Sequence, residues 1–79
     1  MIKVEFTVEP FVEGSPGAHV AAAIAAVEAF GFTVDVGPFG SSFIVSVEEL
    51  GGVLDALTAS AYSRGADHVI IDTSVVEGG

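Results

Sequence analysis

The sequence contains no cysteine and no tryptophan, and only two basic side chains, Lys3 and Arg64, against 11 acidic ones. Without cysteine there is no disulfide framework, no thiolate nucleophile and no cysteine-held zinc or iron–sulfur centre, so apolar packing has to hold the fold together. That usage fits a reducing compartment, and a cytoplasmic location is expected. Phosphate contacts need Lys and Arg, so with two such residues DNA and RNA are not expected partners. No run reaches the roughly 18–20 apolar residues of a membrane span, and the start, Met1-Ile2-Lys3-Val4-Glu5, is not a basic segment leading into an apolar one. The expectation is a soluble protein with no membrane partner.

What is present is a 79-residue chain that is 51% hydrophobic and carries a formal net charge of -9. So much apolar material excludes a disordered segment, and the acidic groups must coat a folded core whose field attracts cations. A single domain spanning residues 1–79 is expected. At this size a fold buries only about 60–65% of the surface its unfolded chain exposes, a shortage that self-association relieves, so a dimer or tetramer is expected.

Ile2, Val4, Phe6 and Val8 alternate with Lys3, Glu5, Thr7 and Glu9, the period of a strand with one buried side, over residues 2–10. Residues 11–17 hold two glycines and a proline and read as a loop. Over residues 18–30, Val20, Ala23, Ile24, Val27 and Phe30 form a helical stripe that Gly31 ends. Phe32, Val34 and Val36 alternate as a second strand, Gly37-Pro38-Phe39-Gly40 turns the chain, and Phe43, Val45 and Val47 alternate as a third. Ser46 with Glu49 has capping-box spacing, so a second helix begins near Val47, turns Leu50, Leu54, Leu57 and Ala61 inward and ends at Arg64 and Gly65. A β-branched run over residues 67–76 makes the last strand.

The order β-α-β-β-α-β is that of the ferredoxin-like α+β sandwich, a four-stranded antiparallel sheet with two helices on one side. The other side of the sheet is then open, and alternation puts Glu5, Thr7, Thr33, Asp35, Ile44, Ile70, Asp72 and Ser74 there. Such a face can mate with another subunit, and an oligomeric regulatory or protein-interaction module is the alternative to a ligand-binding function.

Catalytic signals are sparse. His19 and His68 stand at the ends of elements, where surface positions are expected, and neither lies in a catalytic motif. There is no G-x-S-x-G elbow for a hydrolase, and Glu48-Glu49 are explained by helix capping and the helix dipole. No catalytic residue, metal ligand or cofactor is expected. Two loops hold binding chemistry. Phe39, Gly40, Ser41 and Ser42 combine a ring, close backbone approach and two hydroxyls, although a hairpin turn alone would use the same residues. Glu9, Phe11 and Ser15 precede a helix N-terminus, where N–H groups are free, although Ser15 before Pro16 could serve only as the helix cap. The two loops are expected at opposite ends of the sheet, so a pocket made from both would need a second subunit.

The sequence resembles the small thiamine-binding protein family, once a family of uncharacterised short proteins. The likeness rests on Val8-Glu9-Pro10, on His19-Val20-Ala21-Ala22-Ala23-Ile24, and on Gly37-Pro38-Phe39-Gly40-Ser41-Ser42-Phe43, which is similar to the family's Gly-Pro-Met-Gly-Thr segment. The resemblance implies a ferredoxin-like subunit in a dimer or tetramer, with thiamine or a related aminopyrimidine bound without catalysis at a subunit boundary. Where the family has Ile-Glu-Gly this chain has Phe43-Ile44-Val45, and the family's basic residue after the last strand is missing. Another carboxylate, Glu9, Glu5 or Asp72, would then meet the aminopyrimidine. A small cation with aromatic rings suits an acidic protein that has Phe11 and Phe39 near its loops.

Overall fold

A computed structural model of the chain describes residues 1–10, 17–38 and 40–76. It contains β1 (Ile2–Glu9), α1 (Ala18–Glu28), β2 (Asp35–Val36), β3 (Ser41–Val45), α2 (Val47–Ser63) and β4 (His68–Val75). The strands form one antiparallel sheet in the order β2-β3-β1-β4, and the fold is ferredoxin-like. Val4, Phe6, Val8, Phe43 and Val45 on one side of the sheet pack with Ala23, Val27, Val53, Leu57 and Ala61 of the helices. The rings of Phe6 and Phe43 meet edge to face at 6.0 Å. Gly31 and Gly65 end the helices at positive φ, where a side chain would strain the backbone.

Local chemistry accounts for the departures from the sequence pattern. β2 pairs only at Asp35–Val36, because Phe32 and Val34 pack against the core ahead of the ladder. Thr33 therefore precedes the strand and is not part of its open face. Val47 opens α2 and is exposed: Ser46 accepts from the Glu49 N–H at 3.3 Å and donates to Glu49 Oε1 at 2.9 Å, and the strand ends at Val45. The α2 stripe runs through Val53, Leu57 and Ala61, with Leu50 and Leu54 half-buried at its margins. Val69 and Ile71 of β4 pack on the core, whereas Thr73 and Val75 on the same side are exposed.

Two expectations are overturned. β3 starts at Ser41, opposite Phe6, so the β2–β3 turn lies at the end of the sheet where β1 finishes at Glu9. The first loop and the hairpin therefore leave the sheet at the same end of one subunit, as alternating up and down strands require. His19 is buried, with 7% of its surface exposed, and its Nε2 is 2.6 Å from the Pro10 carbonyl oxygen, which accepts the ring N–H. The ring folds back over Gly17, where a Cβ would collide with it. Gly17 is also the N-cap of α1 and supplies no side-chain cap.

Candidate functional site

β1 runs through the middle of the sheet, and its odd-numbered side chains form the spine of the open face. The register sets Glu5 between Ser42 of β3 and Asp72 of β4, with Asp35 of β2 beyond Ser42. Neighbouring strands are about 4.8 Å apart, so Glu5 and Asp72 hold two like charges side by side, an arrangement that destabilises a sheet unless a cation neutralises it. One rung further, Thr7 faces Ile70, and one rung back Lys3 faces Ser74 and Ile44.

Above this rung the hairpin makes a wall. The Gly37 N–H donates to the Gly40 carbonyl at 2.8 Å and closes the turn. A Cβ on Gly40 would sit 3.1 Å from the Phe6 carbonyl oxygen and 3.3 Å from Thr7 Oγ1, so glycine lets the turn lie directly on β1. The groove thus formed encloses about 420 Å³ and is lined by Glu5, Thr7, Pro38, Ser42, Ile70 and Asp72 together with Gly37, Gly40, Phe6 and Ser41. Phe6 and Ser41 turn their side chains into the core and line the groove with main chain. The volume lies in the range of small-molecule sites, and the lining combines two carboxylates, two hydroxyls and the apolar surfaces of Pro38 and Ile70. Among the described residues no three His, Asp or Glu side chains converge as metal ligands.

The sequence-derived site residues divide. Gly40, Ser41 and Ser42 line the groove. Glu9 is not in that lining: it stands one rung beyond Thr7 on the same face, where Glu9 Oε1 lies 3.4 Å from Nδ1 of His68, the residue facing it on β4. Phe11, Ser15 and Phe39 lie outside the described residues. Of the three carboxylates weighed as substitutes for the one missing at Ile44, Glu5 and Asp72 reach the groove and Glu9 does not. Thr7, Pro38 and Ile70 carry no binding signal of their own in the sequence, although alternation puts Thr7 and Ile70 on this face.

No helix among the described residues is long and apolar enough to cross a membrane. No protein-family model matches the sequence, and no curated protein matches it. Solved structures do resemble it. A domain of unknown function, DUF77, from Bacillus cereus superposes with a TM-score of 0.66 at 22% identity over 92% of this chain and 71% of that one. A protein from Thermotoga maritima described as a candidate for thiamine biosynthesis or salvage gives 0.67 at 21% identity over 99% and 86%. A hypothetical protein from Methanocaldococcus jannascii gives 0.62 at 16% identity over 99% and 80%. At these identities the likeness establishes a shared ferredoxin-like fold.

Proposed function

We propose that this chain is a non-catalytic binding protein for a small organic cation, thiamine or a related aminopyrimidine, held in the open-face groove. The observation that carries the reading is the like-charged pair Glu5 and Asp72, adjacent on one rung and both lining the groove. A cationic ligand neutralises the pair, and an exocyclic amine donates to a carboxylate in a charge-assisted hydrogen bond. Ser42 and Thr7 meet the remaining polar edge, while Pro38 and Ile70 face the flat side of a ring. The description of the Thermotoga maritima protein favours a thiamine-type ligand over other organic cations.

A thermal-shift panel of thiamine, its phosphates and hydroxymethylpyrimidine tests this. A ligand at about 100 times its Kd stabilises the native state by about 2.7 kcal/mol, a shift of several degrees for a domain of this size. A shift with thiamine or the pyrimidine and none with uncharged sugars is the expected result. The absence of any shift would favour the alternative, a protein-interaction module that uses the exposed Ile44 and Ile70 of the same face.

A further inference from the structure

The open face carries charge of both signs, set in order along β1. Past the Glu5–Asp72 rung, on the side away from the hairpin, Lys3 stands between Ile44 of β3 and Ser74 of β4. Both neighbours are uncharged, and among the described residues the one side-chain ion pair joins Glu9 to His68 and does not involve Lys3. The other basic side chain of the sequence, Arg64, is the C-cap of α2 in the helix layer, so Lys3 is the only lysine or arginine on this face. Lys3 is exposed, and Ile44 beside it is 41% exposed. Residues two apart on a strand are about 6.6 Å apart, so a negative rung and a positive one follow each other at a spacing that one small molecule spans.

We propose that the groove takes its cationic ligand as a phosphate monoester, with the heterocycle over Glu5 and Asp72 and the phosphate against Lys3 and Ser74. This rests on the binding reading and adds the class of ligand. An ammonium beside a cationic ring opposes binding unless the ligand brings an anion to it. A phosphate carried one rung from the ring turns that repulsion into charge-assisted contacts, in which Lys3 Nζ and the Ser74 hydroxyl each donate to a phosphate oxygen. Charge also sets the upper limit. In a chain of net charge -9 one ammonium offsets one phosphate, and a diphosphate brings further negative charge that no second lysine or arginine on this face meets. The monoester is therefore preferred both to the free alcohol and to the diphosphate.

Calorimetric titration of thiamine, thiamine monophosphate and thiamine diphosphate into the full chain tests this, with wild type, Lys3→Met and Lys3→Arg compared. Wild type is expected to bind the monophosphate about two- to fivefold more tightly than thiamine, the effect of an exposed ion pair, and the diphosphate less tightly than the monophosphate. That preference should shrink as ionic strength rises from about 0.01 to about 0.15 M, because the screening length falls from about 30 to about 8 Å. Lys3→Met, at an exposed position, should fold as wild type by circular dichroism and reverse the order: the monophosphate loses an attraction and weakens, while thiamine loses a repulsion and tightens. Lys3→Arg should keep the wild-type order. Thiamine bound with no preference for the monophosphate, a preference that survives Lys3→Met, or equal weakening of both ligands by Lys3→Met would overturn this inference and leave the binding reading standing. No binding of any of the three ligands by wild type would overturn both.

Discussion

Gly17 and Gly51 place opposite demands on the same residue type. Gly17 makes room: a Cβ there would lie 2.8 Å from His19 Nδ1, and expelling the ring would break its bond to Pro10. Gly17→Ala should therefore cost about 1–3 kcal/mol, the penalty for leaving a buried polar group unsatisfied. Gly51 sits in α2 with nothing within 4 Å of where its Cβ would be, and Gly51→Ala should stabilise by about 0.5–1 kcal/mol because the unfolded chain loses freedom. Urea unfolding of the two variants beside wild type checks both signs, and equal effects would contradict this division. His19 itself was not legible as a buried residue. Its partner Pro10 lies nine positions away, and no local pattern links an imidazole in the first turn of a helix to a carbonyl at the end of a strand.

At the scale of the elements, the strand and helix boundaries that could be read in advance were those with side-chain chemistry of their own. Ser46 and Glu49 announce the start of α2, and Gly31 and Gly65 announce helix ends. Ser46→Ala should lower stability by about 1 kcal/mol through loss of the cap, measured by denaturant midpoint, with an unchanged midpoint as the contrary result. The paired length of β2 is not legible in the sequence, because alternation of Phe32, Val34 and Val36 looks the same whether the backbone pairs or the side chains merely pack. On α2, Leu50 and Leu54 share one side with Leu57, yet the neighbouring α1 and sheet draw in Val53 more fully than Leu54. That choice depends on where the partners sit, which the sequence of one helix does not record.

At the scale of the whole molecule, the sheet's register converts scattered residues into a site. Alternation alone puts Glu5 and Asp72 on the open face, but only the pairing of β1 with both β3 and β4 sets them side by side with Ser42 on the flank. The same pairing leaves Glu9 one rung beyond Thr7, facing His68 at 3.4 Å rather than lining the groove. The hairpin segment was recognisable because its glycines serve the turn and the wall at once. Calorimetric titration of thiamine into wild type, Asp72→Asn and Glu5→Gln tests most directly whether this groove takes a small cation. Wild type should bind with one site per chain, and each substitution should weaken binding by roughly 1–3 kcal/mol, about 5- to 150-fold in Kd, with Glu9→Gln unaffected. Absence of binding to wild type, or full affinity in both groove variants, would contradict it.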